Sequence, residues 1–298
     1  MKKLKAFWWF TRPHTVFGTI TSVIALYIIA YVHTAPAEWK PLTLLITLLS
    51  CLGANIYIVG LNQLTDLEID RINKPDLPLP AGEFTRREAR AIILTALVFS
   101  LLTALTQGVF LTITVVISLL IGTAYSLPPL RLKRFHFWAA ASIFTVRGVV
   151  VNIFLFLHFQ YFFSGAVEIP PHIWLLTGFI FGLSLVIAWF KDIPDMTGDR
   201  QFQIITLTLR LGAGTVFRLG LGVLTLLVFS LLILAFTDLT GLNTSLLAVC
   251  NLVILSFLLI KSRHIQPASR AAMSHYYLLL WGVFYLEYLV FASAAIFC

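Results

Sequence analysis

The chain has 298 residues, of which 59% are hydrophobic and only 11% are charged, and its formal net charge at pH 7 is +8. A water-soluble domain of this length would carry far more charge, so the composition excludes the soluble classes. Apolar runs long enough to cross a hydrocarbon core of about 30 Å recur along the sequence. Because they lack the alternation of a β-barrel, they predict an all-α, polytopic membrane protein that forms one domain over residues 1–298.

Nine apolar runs are predicted to span the membrane. The first is not followed by a small-residue cleavage site, which favours a first span over a removable signal peptide. Cys51, Cys250 and Cys298 include no CxxC pair, so neither a disulfide framework nor a thiolate zinc site is expected. In chain order the predicted spans are residues 16–33, 41–64, 88–106, 109–126, 137–157, 173–191, 214–236, 243–260 and 275–297.

The basic residues divide unequally between the two sides of a nine-span topology. Of the 21 Lys and Arg residues, 19 precede the first span or lie in loops on that same side. The opposite side has Lys40 alone, and Arg147 lies within a span. Because Lys and Arg favour the cytoplasmic side of a membrane, the sequence predicts a cytoplasmic N-terminus and a C-terminus on the opposite side.

The acidic residues are concentrated in two segments on the predicted cytoplasmic side, after the second and sixth spans. In the first segment, Asn62, Asp66 and Asp70 are separated by steps of four residues. A step of four advances an α-helix by slightly more than one turn, so these three side chains share one helical face. The first segment therefore presents a row of oxygen atoms where a span meets water.

The second acidic segment contains Asp192, Asp195 and Asp199. Steps of three and four residues again group the carboxylates on one side of a helix. Pro194 and Gly198 are expected to loosen that helix.

Two groups of carboxylates would repel each other in a partly dry cavity, so a cation is expected between them. Oxygen ligands without His or Cys suit a hard cation, and Mg²⁺ is the best candidate because it is commonly shared between carboxylates and a substrate phosphate. Basic residues beside the acids are suited to diphosphate oxygens. These bases are Arg71, Lys74, Arg131, Lys133, Arg134, Lys191 and Arg200. One such cluster alone would be better explained as a solvated helix end, but two on one side favour a binding site.

The two acidic segments resemble the aspartate-rich motifs of the UbiA-type intramembrane prenyltransferases. The strings "NQLTDLEIDRINKPDLPLPAG", "GTAYSLPPLRLKRF", "TVRGVVVN" and "FKDIPDMTGDRQFQIITLTLRLG" resemble, more narrowly, those of the homogentisate prenyltransferases. The resemblance covers nearly the whole chain. Asp195 stands where the 4-hydroxybenzoate enzymes of the wider family commonly have a Tyr, which makes a 4-hydroxybenzoate acceptor less favoured.

The resemblance implies a central cavity that opens near the cytoplasmic face. It also implies an enzyme that transfers a prenyl group, with phytyl favoured, from its diphosphate to homogentisate. The implied reaction includes decarboxylation of homogentisate, as in tocopherol synthesis. The resemblance implies that Mg²⁺ is held between the two motifs. The implied metal ligands are Asn62, Asp66, Asp70, Asp192, Asp195 and Asp199, among which Asp66, Asp70, Asp192 and Asp199 are the implied catalytic residues. The implied diphosphate-binding residues are Arg71, Lys74, Lys133, Arg134 and Arg200. The expected partners are the isoprenoid diphosphate, the aromatic acid and membrane lipid, with no nucleic acid and no protein partner.

Two charged residues are predicted to lie deep in the membrane. A charge at that depth is costly, so Arg147 and Glu287 should face the protein interior. They either neutralise each other or form hydrogen bonds to neighbours such as Asn152, or Arg147 binds the carboxylate of the acceptor. Tyr125 either positions the substrate or has a packing role.

Other functions remain open at the level of the sequence. The same donor chemistry could serve another acceptor, such as chlorophyllide or a naphthoate, or a geranylgeranyl or solanesyl donor. A cation transporter would also use membrane-embedded acids, but it should place ionisable residues near the midplane. Here the acids cluster at one face, which argues against transport.

Overall fold

The structure is a computed structural model that describes residues 2–235 and 241–298. Within these ranges the chain is helical and forms no β-strand. The helices are α1 (Lys2–Phe10), α2 (Pro13–Thr34), α3 (Pro41–Thr65), α4 (Leu67–Asn73), α5 (Arg86–Leu105), α6 (Val109–Ser126), α7 (His136–Phe144), α8 (Val151–Ser164), α9 (Pro171–Asp192), α10 (Met196–Gln201), α11 (Leu207–Leu211), α12 (Ala213–Ala235), α13 (Thr244–Ser262) and α14 (Arg270–Ile296).

Within the described ranges, nine helical segments are long and apolar enough to cross a membrane, which confirms the predicted spans. Eight are single helices, and the fifth joins α7 to α8 through a π-helical turn at Thr145–Val150. Their ends lie close to the predicted ones. The largest difference is in the fifth span, which continues to Ser164. The predicted end of the seventh span, Phe236, lies outside the described residues.

Proline and polar capping residues set the ends of the spanning helices. Pro13, Pro41 and Pro171 occupy the first turns of α2, α3 and α9, where the missing N–H has no intrahelical partner to lose. At the start of α5, the Thr85 side chain accepts a hydrogen bond from the Glu88 N–H while the Glu88 side chain accepts one from the Thr85 N–H. This reciprocal pair fixes where the third span begins.

The N-terminal helix α1 was not predicted, because its nine residues are too few for a span. It buries Ala6 and Phe10 against the bundle and leaves Leu4, Trp8 and Trp9 exposed. Exposed tryptophans beside basic residues are typical of a helix that lies at the membrane surface.

Helix packing brings the two acidic segments together at one end of the bundle. Helix α2 packs against α3, α8 and α14, and α9 packs against α7, α12 and α14. Short helices α4 and α10 follow the ends of α3 and α9 and contact each other. Since each acidic segment begins at the end of its span and continues into one of these short helices, the fold places both segments around the same opening.

Candidate active site

A polar cavity lies between the two acidic segments. All six residues that were predicted to hold a metal line it, together with bases from four parts of the chain. Its polar and charged lining residues are Arg12, Asn62, Asp66, Asp70, Asn73, Lys74, Tyr125, Lys133, Lys191, Asp192, Asp195, Asp199 and Thr206. The sequence spacing thus identified residues that the fold brings to one place, although their roles remain predictions.

The first acidic segment keeps its helical register through a break in the helix. Helix α3 ends at Thr65, yet the Asp66 N–H donates to the Asn62 carbonyl at 2.9 Å and the Asp70 N–H donates to the Asp66 carbonyl at 2.7 Å. These four-residue steps keep the three side chains on the cavity side. Asp66 forms an ion pair with Lys133, whose ammonium group also donates to Thr65 Oγ1 at 3.0 Å.

The second acidic segment is broken at the expected proline. Helix α9 ends at Asp192 and α10 begins after Asp195, with Pro194 between them. Asp195 forms an ion pair with Lys74 from the first segment. Asp199 follows on α10 and is buried at the cavity wall.

Asn73 joins the two segments directly, and sequence reasoning missed it. Its Nδ2 donates to the Asp195 carbonyl at 2.9 Å, and its Oδ1 accepts from the Gly198 N–H at 3.0 Å. A Cβ atom at Gly198 would lie 2.6 Å from the Asn73 side chain, so only glycine permits this approach. The sequence contained one indication that Asn73 faces the cavity, namely that it follows Asp70 by almost one helical turn.

Burial makes the carboxylates of this cavity difficult to ionise without added positive charge. Burial raises the pKa of Asp70 above its ordinary value, against the opposing effects of Lys74 and Arg12. Burial, with the nearby charges of Asp192 and Asp195, raises the pKa of Asp199 to about 8. A cation in the cavity would oppose these shifts and favour the charged carboxylates.

Lys133 experiences the opposite effect of the same burial. Its ammonium group is desolvated, which lowers its pKa, while the charge of Asp66 and their hydrogen bond raise it. Arg131 lies 3.5 Å from Asp66 on the other side. Asp66 therefore already has two cationic neighbours.

The donor atoms in the cavity suit a hard divalent cation, but they are not yet gathered around one point. Among the described residues, no three Asp, Glu, His or Cys side chains are positioned to hold a metal ion together. Asp70 Oδ2 is buried without a hydrogen-bond partner in the described part of the chain, and Arg12 approaches it only to 3.9 Å. Buried carboxylate and amide oxygens of this kind fit Mg²⁺, while Asp195 and Asp66 are paired with Lys74 and Lys133.

An apolar cavity continues from the polar one into the bundle. Arg12, Asn62, Tyr125 and Lys191 line both cavities, so the two spaces share a boundary. At that boundary the Lys191 ammonium group donates to Tyr125 Oη at 2.8 Å. Helices α2, α3, α6, α8 and α14 and the π-helical turn supply most of the wall below it.

Arg147 lies in the wall of the apolar cavity. Its guanidinium carbon is 4.4 Å from the centre of the Trp281 ring. His14 contacts the same ring at 5.0 Å between centroids. Arg147 belongs to the π-helical turn, a local widening that is frequent at functional sites. Its planar group therefore faces a space that can receive an anion.

Glu287 is not the partner of Arg147. Neither residue forms an ion pair within residues 2–235 and 241–298. Glu287 lies fully buried near Asn251 of α13. Asn152, the polar neighbour considered from the sequence, instead accepts a hydrogen bond from Tyr288 Oη at 2.6 Å.

Three predicted diphosphate-binding residues do not line either cavity: Arg71, Arg134 and Arg200. Arg71 pairs with Glu68 at 2.6 Å on the surface. Arg200 is exposed on α10, and Arg134 is exposed at the end of a 3₁₀ turn at Leu132–Arg134. Spacing alone could not distinguish them from the inward bases, because the short turns after each span rotate neighbouring side chains in different directions.

Arg12 and Lys191, by contrast, lie at the junction of the two cavities. Arg12 has a positive φ of 52°, an uncommon conformation for a residue with a side chain. It occupies the break between α1 and α2. Such conformations often occur where function fixes the chain.

The nine spans, with an acid- and base-lined cavity that opens into an apolar one, define an integral multi-pass membrane protein with a site at one end of its bundle. The model of the UbiA prenyltransferase family matches residues 19–295, and this chain belongs to that family.

Similarity to individual proteins extends over the full chain. The chain is 45% identical to homogentisate phytyltransferase of Synechocystis sp. over 99% of its own length and 96% of that protein. It is 36% identical to the chloroplastic homogentisate solanesyltransferase of Arabidopsis thaliana, over 96% of this chain and 75% of the relative. Its fold resembles the solved structure of a UbiA homolog from Archaeoglobus fulgidus bound to GPP and Mg²⁺, with a TM-score of 0.66 and 15% identity, covering 97% of this chain and 99% of that one.

Proposed function

We propose that this protein is a homogentisate prenyltransferase that transfers a phytyl group from phytyl diphosphate and releases CO₂, giving 2-methyl-6-phytyl-1,4-benzoquinol for tocopherol synthesis. The observation that carries the proposal is the junction of a polar and an apolar cavity at Arg12, Asn62, Tyr125 and Lys191. A prenyl diphosphate has a charged head and an apolar tail, and each part matches one cavity. The relatives named for homogentisate support the acceptor.

The polar cavity would hold the diphosphate and Mg²⁺. The metal ligands in this proposal are Asn62, Asp66, Asp70, Asp192, Asp195 and Asp199. The bases that can reach the diphosphate oxygens are Arg12, Lys74, Lys133 and Lys191, with Arg131 beside Asp66. The structural neighbour that holds a prenyl diphosphate with Mg²⁺ supports this choice of cation. When bound, Mg²⁺ supplies positive charge that stabilises the departing diphosphate.

Fixed charge in the polar cavity favours the transition state over the bound donor. Breaking the allylic C–O bond leaves its electron pair on the diphosphate, so negative charge increases there. Lys191 is held by its hydrogen bond to Tyr125 before this charge develops, and a preorganised cation of this kind stabilises such a transition state. Lys74 and Lys133 would add to this effect once Asp195 and Asp66 bind the metal.

The apolar cavity protects the allylic cation from water. Its walls are mostly aliphatic and aromatic, and Trp281 is part of them. Aromatic faces attract cations, and an enclosed apolar space prevents hydrolysis of a reactive intermediate.

Arg147 is proposed to bind the carboxylate of homogentisate. A guanidinium group stacked on an indole ring is held in one plane, which favours paired hydrogen bonds to a carboxylate. That contact would turn the electron-rich ring toward the prenyl carbon. Tyr125 would complete the boundary through its hydrogen bond from Lys191.

The proposed reaction is balanced without an oxidant or a reductant. A ring carbon ortho to a phenol forms a bond to the prenyl carbon and loses its proton. The side-chain carboxylate leaves as CO₂, and the carbon that it leaves takes up one proton to become a methyl group. The diphosphate leaves with the electron pair of the C–O bond.

The orientation of the protein follows from its charge distribution in this proposal. The N-terminus and both acidic segments would be cytoplasmic, because almost all Lys and Arg lie on that side. The donor could then remain in the membrane while its head enters from the cytoplasmic side. All 298 residues would form one catalytic domain.

The test is product analysis on membranes that contain the protein. They would receive Mg²⁺, carboxyl-labelled homogentisate and, in separate reactions, phytyl, geranylgeranyl or solanesyl diphosphate. We expect prenylated methylquinol and an equal amount of labelled CO₂, both lost with EDTA and in Asp66→Ala. Absence of product with every donor would reject homogentisate as the acceptor, and chlorophyllide and naphthoate acceptors would then be tested.

A further inference from the structure

The apolar cavity has a limited depth, which is nearly the same on three helices. Its lining residues extend over residues 12–23 on and just before α2, over residues 51–62 on α3 and over residues 114–125 on α6. Each stretch covers eleven helical steps, or about 16 Å at 1.5 Å per residue. The agreement of three neighbouring helices, of which α2 runs opposite to α3 and α6, indicates a common floor.

Four residues contribute to this floor, together with Tyr288, the deepest lining residue of α14. On α2, α3 and α6 the deepest lining residues are Val23, Cys51 and Thr114, and on α8 the deepest is Leu155. The fifth span is oriented like α2, and it packs against α2 and α6. The floor therefore combines one residue from each of five helices.

Packed residues close the bundle one turn beyond the floor. Leu26 and Leu111 are fully buried at this level. Thr47 Oγ1 and His158 Nε2 share a hydrogen bond of 2.9 Å, and both side chains are buried. This bond connects α3 to α8 where a longer cavity would have to continue. A polar bond in an apolar interior is costly to break, so the closure is firm.

The depth matches one class of prenyl chain. A bond of about 1.5 Å advances an extended carbon chain by about 1.25 Å, so the sixteen main-chain carbons of a C20 tail extend about 19 Å. A slightly bent C20 tail fits from the boundary with the polar cavity to the floor. A C45 tail, at about 45 Å, exceeds the hydrocarbon core itself, which is about 30 Å thick.

We infer that Val23, Cys51, Thr114 and Leu155 form the end of the donor-tail pocket and restrict the donor to C20 chains. This inference rests on the proposed function, since it takes a prenyl diphosphate as the donor. It adds the residues that set the chain length. The pocket end would distinguish this protein from enzymes that accept much longer donors. Sequence identity does not make this distinction, since the chain is similar to both phytyl and solanesyl transferases.

The test enlarges small floor residues and measures donor binding without the acceptor. Cys51→Phe and Thr114→Phe place a ring in the last part of the pocket from two different helices. Cys250→Phe is the matched control, because Cys250 is a half-buried residue of α13 that lines neither cavity. The probes are non-hydrolysable prenyl thiolodiphosphates of C10, C15, C20 and C45 with Mg²⁺, and thermal stabilisation gives their dissociation constants.

For the unaltered protein we expect affinity to rise from C10 to C20 and to fall at least tenfold at C45. In Cys51→Phe and Thr114→Phe, C20 affinity should fall at least tenfold while C10 affinity stays within threefold. Cys250→Phe should retain the original profile. The C45 comparison uses the unaltered protein, so it tests the floor even if a substituted chain does not fold.

Two results would overturn the inference. One is equal affinity of the unaltered protein for C20 and C45 donors, and the other is an equal loss of C10 and C20 binding in both floor variants. Binding of no prenyl diphosphate would also overturn it. A C20-limited binding profile without any reaction of homogentisate would instead reject only the proposed acceptor.

Discussion

Asn73 offers the sharpest test of how the two acidic segments are held together. Asn73→Ala removes the hydrogen bonds to the Asp195 carbonyl and from the Gly198 N–H, both at buried positions. A buried polar group without a partner costs about 1–3 kcal/mol. Loss of both partners therefore costs at least about 2 kcal/mol. The nine-span core does not depend on Asn73, so this cost falls on the local arrangement of the site.

The expected result is a loss of activity without a loss of the fold. A cost of at least about 2 kcal/mol corresponds to at least about 30-fold, so kcat/KM for the prenyl diphosphate should fall at least about 30-fold. The midpoint of thermal unfolding should move by only a few degrees. The assay is steady-state kinetics with the donor varied at saturating homogentisate, together with a thermal melt in the same detergent.

Asn243→Ala provides the matched control. Asn243 also makes two hydrogen bonds, accepting from the Leu246 N–H and donating to the Phe297 carbonyl, each at 3.0 Å. It lies at the start of α13, away from both cavities. If Asn73→Ala kept kcat/KM within threefold of the unaltered protein, or lost no more than Asn243→Ala, the assigned role of Asn73 would be refuted.

Three further predictions concern the same site. Gly198→Ala should reduce kcat/KM as strongly as Asn73→Ala, because the new Cβ would lie 2.6 Å from the Asn73 side chain. Gly178→Ala should leave the kinetics unchanged, because no atom lies within 4 Å of its new Cβ. Equal effects of the two glycine substitutions would contradict the packing argument. Arg147→Ala should raise KM for homogentisate at least tenfold and leave the donor KM within twofold, and Arg147→Lys should recover only part of this loss since lysine lacks the planar fork. A rise in both KM values would argue against carboxylate binding. Asp70→Asn should increase the Mg²⁺ concentration needed for half-maximal rate at least tenfold, measured by metal titration, and an unchanged requirement would remove Asp70 from the metal ligands.

The spans were predictable because their signal is summed over many residues. About twenty apolar side chains must agree before a run qualifies, so a few unusual residues do not obscure it. The unequal distribution of Lys and Arg also agreed with the order of these spans. Helix α1 gave no such signal, since a surface helix of nine residues has neither length nor uniform hydropathy.

The site was predictable only where helical spacing decides direction. Asn62, Asp66 and Asp70 follow steps of four, and hydrogen bonds preserve those steps through the break after Thr65. Arg71 is adjacent to Asp70 yet points to Glu68 at the surface. Adjacent residues on a helix differ by about 100° in direction, so chemical type alone could not assign Arg71 to the cavity.

Asn73 and Arg147 show two other limits of the sequence. The role of Asn73 depends on a contact 122 positions away along the chain, which no local pattern contains. Arg147 lies in a π-helical turn, and the widened turn changes which side of the span it faces. Sequence spacing that assumes a regular helix cannot determine that direction.

The ion pairs of Lys74 with Asp195 and of Lys133 with Asp66 link the binding of the metal to the binding of the donor. A cation that takes the two carboxylates releases both ammonium groups, and a diphosphate that attracts the ammonium groups releases both carboxylates. Each ligand thereby prepares the site for the other, and such cooperativity is reciprocal by thermodynamic necessity. Metal and donor should each bind weakly alone and tightly together. Calorimetric titration of one ligand, in the presence and in the absence of the other, would measure this difference in affinity. Equal affinities under the two conditions would show that the lysines do not exchange partners. An exchange of this kind would keep the site close to electroneutral both before and after the donor arrives.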